Sequence, residues 1–173
     1  MRHRLLVVLS AAALAGCSSS GPKVVTAATP EQHAALIERV RSLEGTWEMD
    51  NGSGGKEVAA VFADSSNGTA VREVMFPGSG HEMTNVYHMD GPTLLMTHYC
   101  SQGNQPHLRA RAGSPSEIVF TMDSVSNYTD KEDMYMGKLV LKIKDNDHIV
   151  EEWTSYKPEL NPATVAFEMT RKK

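Results

Sequence analysis

The stretch HEMTNVYHMDGPTLLMTHYC, residues 81–100, is the part of the chain richest in side chains that do chemistry. Pro92 has no N–H to close a strict two-residue Asp90-Gly91 turn, so a four-residue loop from Asp90 to Thr93 is expected, with Met89 facing Leu94. Side chains alternate faces along a strand, which puts His81, Met83, Asn85, Tyr87 and Met89 on one face with Leu94, Met96, His98 and Cys100. Glu82, Thr84, Val86, His88, Leu95, Thr97 and Tyr99 take the other. The first set is the more apolar and is predicted to point inward.

An inward face that carries two histidines, an asparagine, a tyrosine and a thiol needs hydrogen-bond partners, because each buried polar group left unpaired costs ~1–3 kcal/mol. Those partners are one another, trapped water or a ligand. In a ligand cavity, His81, Met83, Asn85, Tyr87, Met96, His98 and Cys100 would line it. His81, His98 and Cys100 are also suitable transition-metal ligand types, but strand spacing alone does not fix a tetrahedral arrangement, and no metal is assigned. A catalytic thiol needs a base beside it. His98 is two residues from Cys100 along a strand, ~6.6 Å between α-carbons, so catalysis by Cys100 is not expected.

Other candidates carry less. Met75, Met83, Met96, Met122 and Met169 suit adaptable core packing better than a thioether metal site. Glu151 and Glu152 fall on opposite faces of a strand, which argues against their acting as a glycosidase pair. Asn104 and Gln105 could line the mouth of a barrel.

The elements that must hold this face are strands. Thr29 is placed to cap a helix with Pro30 at its first position and Gln32 completing a capping box, and Leu36, Ile37, Val40 and Leu43 then recur at helical spacing as far as Gly45. Beyond it, short runs rich in Val, Ile, Thr and aromatics alternate with turn residues every eight to twelve positions. Strands are predicted near 46–50, 56–63, 69–76, 81–89, 94–100, 107–112, 117–123, 137–144, 148–156 and 163–171, with a polar loop over 124–133. The expectation is an all-β, antiparallel up-and-down barrel of about ten strands preceded by one short helix, since closure removes sheet edges; a sandwich is the alternative.

The amino terminus reads differently. Arg2 and Arg4 precede an apolar run from Leu5 to Leu14, too short for the ~20 residues of a membrane span, so a cleaved signal peptide is expected. Leu14-Ala15-Gly16-Cys17 resembles the lipobox of bacterial lipoproteins. The resemblance implies cleavage after residue 16, acylation of Cys17 and, with Ser18 next to the cysteine, an outer-membrane anchor facing the periplasm, while the small, polar residues that follow read as a tether over residues 17–29 ahead of the barrel domain over residues 30–173. Cleavage would take two of the 17 basic residues and none of the 21 acidic ones, moving the formal charge from −4 to −6. That charge offers no footprint for nucleic acid. With Cys17 acylated, Cys100 has no disulfide partner within the chain.

Gly45-Thr46-Trp47, between a short helix and the first strand, resembles the Gly-X-Trp motif of lipocalins and their calycin relatives. The resemblance implies that Trp47 closes the barrel base with a basic residue of the last strand across its ring, and Arg171 lies at that place in the sequence. Tyr87 to Gly91 and Thr97 to Pro106 are similar to stretches of bacterial lipocalin-like proteins, which brings no activity with it. Haem-binding barrels of the nitrobindin kind also begin with Gly-X-Trp and a glycine-rich turn, here Asn51 to Gly55. Their axial histidine comes late in the chain, and this sequence has none after His148, so no cofactor is expected. The function expected is binding of a small, largely apolar ligand by a lipid-anchored barrel; a solidly packed barrel with a structural or interaction role is the alternative.

Overall fold

Alternating apolar and polar residues build ten strands: β1 (Gly45–Asp50), β2 (Lys56–Ser65), β3 (Ala70–Met75), β4 (Met83–Asp90), β5 (Thr93–Tyr99), β6 (Gln105–Arg111), β7 (Glu117–Ser126), β8 (Tyr135–Ile143), β9 (His148–Tyr156) and β10 (Ala163–Arg171). They come from a computed structural model that describes residues 21–111 and 113–173. Each strand pairs antiparallel with its neighbours in sequence, and β10 returns to β1 to close the barrel. The signal segment and Cys17 lie outside the described residues.

The expected single helix is two: α1 (Pro30–Ala35) and α2 (Ile37–Arg41), broken at Leu36. The capping box at Thr29 and Gln32 is formed. The break turns the apolar residues Leu36, Ile37, Val40 and Leu43 into one end of the barrel, where all four are buried. Arg39 fixes this plug by donating to the carbonyls of Ser114 (3.2 Å) and Glu117 (3.4 Å), and Arg41 by pairing with Asp64 at 3.0 Å.

The β4–β5 register pairs Met89 with Leu94, as the alternation requires. Asp90 also pairs with Thr93, so the connection is the two residues Gly91-Pro92 rather than a four-residue loop. Gly91 supplies the positive φ of +55° that starts the turn, and Pro92 stands where no ladder bond is needed. Two further expectations change. β7 continues through Ser124 to Ser126, so the loop after it starts at Asn127; and His81 lies in the connection before β4, not on the strand. The bonds of Gly78 N–H to Glu82 (2.6 Å) and of His81 N–H to Ser79 (3.1 Å) hold residues 78–82 in a turn and delay the strand to Met83.

The barrel's middle is filled. Trp47, Phe62, Tyr87, Leu94, Met96, Leu108, Phe120 and Trp153 are all buried, at most 1% exposed, which leaves no water-sized space against them. At the other end the wall is incomplete. β1 pairs with β10 only through Trp47 with Arg171 and Glu48 with Thr170, whereas β10 follows β9 along its whole length from Ala163. The first part of β10 is therefore hydrogen-bonded on one side among the described residues, and Val165 is 44% exposed there.

Candidate functional site

The register sets Glu73, Asn85 and His98 side by side across β3, β4 and β5, all on the inner face and all buried. Tyr87 donates to Glu73 Oε2 at 2.6 Å, and Asn85 Nδ2 donates to the same oxygen at 2.8 Å. Because the Asn85 amide nitrogen is committed, its Oδ1 accepts from His98 Nδ1 at 2.7 Å. That bond fixes the imidazole tautomer and leaves Nε2 as a bare acceptor. The His98 ring rests against Trp153, with centroids 4.7 Å apart.

From the opposite wall comes Glu151, which accepts from Trp153 Nε1 at 2.9 Å and lies near enough to the Glu73 carboxyl for each to influence the other's ionisation. Two carboxyls buried together in a dry interior resist double ionisation, so the pair holds a proton. Burial raises both; Glu151 is displaced well above the usual range by burial and then by the Glu73 charge, while Tyr87 and Asn85 donate to Glu73 and favour its ionised form. The shared proton therefore resides on Glu151. Burial lowers His98 to about 4, so the imidazole is neutral at neutral pH.

Above this network, toward the incomplete end of the wall, lies a cleft of about 600 Å³ lined by Glu57, Val58, Phe76, Pro77, Ser79, His81 and Phe167. Its floor is an aromatic pair, Phe76 and Phe167, edge to face with centroids 5.2 Å apart. Phe167 is the cross-strand partner of Glu151, so the two stand beside each other on the same face of the sheet. Phe76 is held at φ +50°, a left-handed conformation that costs a bulky residue on the order of 1–2 kcal/mol. Its N–H to Ala59 carbonyl bond of 2.8 Å holds it there.

The residues singled out in the sequence thus separate. Asn85, Tyr87, Met96 and His98 share the packed interior, and Met83 is half-buried opposite Met75. Cys100 lies just past β5, and burial pushes its thiol up, away from the reactive thiolate. His81 is exposed at the rim of the cleft and does not join His98 and Cys100. Among the described residues, no three His, Cys, Asp or Glu side chains come together as a metal site. Trp47 and Arg171 meet at the plugged end, with the guanidinium carbon 4.4 Å from the ring centroid.

Glu73, Trp153, Phe76 and Phe167 escaped the reading of the sequence, and Glu151 enters it only as a rejected pair with Glu152. A signal for the carboxyls exists: Glu73 stands between Val71 and Met75, and Glu151 between Ile149 and Trp153, each on the apolar side of its strand's alternation. No protein-family model matches the chain, and comparison with curated proteins finds no relative.

Proposed function

We propose that this chain is a lipid-anchored envelope protein whose lipocalin-like barrel binds a small, largely apolar ligand. The observation that carries the reading is the cleft at the incomplete end, where Val58, Phe76, Pro77 and Phe167 offer apolar walls and Ser79, His81 and Glu57 a few polar contacts, the composition of a small-molecule site. The binding position is this cleft rather than the barrel's centre, which side chains occupy.

Acylation of Cys17 supplies the anchor in this reading. Val25 and Thr26 lie against the β4–β5 turn at the helix-plugged end, with Thr26 carbonyl 2.5 Å from where a side chain on Gly91 would begin. A tether leaving from that end turns the cleft away from the membrane, toward the periplasm. The packed barrel centre favours the second reading, a structural lipoprotein without a ligand.

Native mass spectrometry of protein purified from its own cells tests both halves. Expected are a covalent lipid increment that Cys17→Ser abolishes together with signal cleavage, and a non-covalent small molecule that leaves on activation. Cys17→Ser protein still processed and membrane-bound would overturn the anchor. Absence of any bound molecule, with no stabilisation of the protein by a lipid extract, would leave the structural reading.

A further inference from the structure

β10 ends at the closing seam but begins as a free edge. Lys172 N–H donates to the Thr46 carbonyl on the β1 side at 2.8 Å, and Arg171 N–H to the Asp147 carbonyl on the other side at 2.9 Å. Backbone groups of successive strand residues point to opposite sides, and β10 follows β9 from Ala163 to Thr170 without a bulge. The N–H and C=O of Thr164, Ala166 and Glu168 therefore face the β1 side. Pairing with β1 stops at Glu48 with Thr170, so these groups have no strand partner among the described residues. Water reaches this edge: Ala163, Thr164, Val165, Ala166 and Glu168 are all exposed, although Val165 stands beside the buried Trp153 on the inner face.

Strand edges left to solvent are commonly blunted by a lysine, a proline or a bulge, which stops another strand from pairing. From Ala163 to Phe167 β10 carries none of these. The edge thus states what would complete it. A row of backbone donors and acceptors at strand spacing is matched by a second extended backbone rather than by a small molecule.

We propose that the β1-facing edge of β10 binds an extended peptide of a partner protein as an added strand, apolar at the positions that face inward and basic opposite Glu168. The inward positions stand beside Val165 and Phe167, and Phe167 lines the cleft together with Val58 and Phe76, so apolar side chains continue that lining. On the outer face, Glu168 and Asp50 line one groove where β1 and β10 diverge. Neither carboxylate has an ion-pair partner among the described residues. Of the two lysines in that groove, Lys56 is committed to Thr170 Oγ1 at 2.9 Å, and Lys144 belongs to the β8–β9 turn. A second copy of this chain suits the edge less. Two β10 edges related by a twofold axis pair antiparallel, which turns the helix-plugged ends of the barrels in opposite directions and draws two lipid anchors apart. The backbone bonds of the added strand do not depend on a ligand in the cleft.

The probe is a capped, fluorescent peptide of alternating valine and threonine with one threonine replaced by lysine. Its controls carry glutamate in place of that lysine, or a methyl group on every backbone nitrogen. Anisotropy titrations use the whole mature protein held in lipid nanodiscs. Expected is the lysine peptide at least ~tenfold tighter than the glutamate peptide, with no binding of the methylated one. Ala166→Pro removes an N–H on the open side and spares the β9 ladder, as edge strands allow. It should weaken binding at least ~tenfold while the thermal midpoint stays near wild type, and Glu168→Lys should abolish the preference for lysine. Hydrogen exchange of wild type supplies a readout that needs no variant: the Thr164 and Ala166 amides should gain protection in the complex. Binding of the methylated peptide as tight as its parent, or a lysine preference that survives Glu168→Lys, would overturn the inference. So would binding of none of the peptides, or sedimentation of the free protein as a dimer that Ala166→Pro dissolves, which would give the edge to a second copy.

Discussion

Arg171 spans the closing seam of the barrel from above Trp47. With its guanidinium on the indole, it donates to three carbonyls, those of Asn146 (2.7 Å), Glu44 (2.6 Å) and Ser42 (3.0 Å), while Trp47 Nε1 donates to Leu43 at 2.8 Å. One planar fork thus ties the end of α2, the β8–β9 turn and the last strand together, at the place where β1 and β10 share only two register pairs.

Arg171→Ala should therefore destabilise by ~2–3 kcal/mol, the sum of a cation–π contact and charge-assisted bonds less what water restores. Arg171→Lys should recover only part of this, since an ammonium cannot reach three carbonyls in a plane. Urea unfolding measures both; a loss below ~0.5 kcal/mol for Arg171→Ala would show that the seam does not depend on the fork.

For His98→Leu, the packed interior sets the outcome. Asn85 Oδ1 loses its donor in a site with no room for water, so stability should fall by ~1–3 kcal/mol with no ligand present. The variant should also change the response to acid. His98 titrates near 4 in the folded protein and near 6.5 unfolded, so as pH falls from 6.5 to 4 the unfolded chain takes up a proton that the folded one refuses. That window should cost wild type up to ~3 kcal/mol, and the leucine variant should lack this part of the slope.

The fold is legible because its signals are local. Alternation and turn residues locate all ten strands to within a few positions, and the inward placement of Asn85, Tyr87, Met96 and His98 follows from period two alone. His81 fails for a local reason as well: Ser79 and Glu82 form a turn whose side-chain bonds outweigh continuation of the strand. The split at Leu36 follows no local signal, since only the need to fill the barrel end rewards it. The carboxyl pair is harder still. Each glutamate by itself reads as a polar residue out of phase, and only closure of the barrel sets Glu73 against Glu151.

Gly91 should tolerate no side chain. Its φ is positive, and a β-carbon would stand 2.5 Å from the Thr26 carbonyl. Gly91→Ala should cost ~1 kcal/mol in the turn and lift residues 21–28 from the barrel end. Limited proteolysis reads the second effect: cleavage between residues 21 and 28 should accelerate while the barrel itself stays resistant. Unchanged cleavage would mean that this segment owes nothing to the turn.

The proton shared by Glu73 and Glu151 makes stability depend on pH in the sense opposite to His98. Both carboxyls are raised above their unfolded values, chiefly by burial, so the folded state holds more protons than the unfolded chain and stability falls as pH rises from ~4 through the folded titration. Each unit of upward displacement is worth ~1.4 kcal/mol at a pH above both values. Glu151→Gln replaces the protonated carboxyl by a neutral amide that donates to Glu73 and accepts from Trp153. Relative to wild type, this variant should gain stability as pH rises from ~4 through the folded titration of the pair, with His98 contributing equally to both proteins. Chemical denaturation across that range checks it; parallel pH profiles for the two would show that Glu151 carries no displaced proton and that the pair is not a pair.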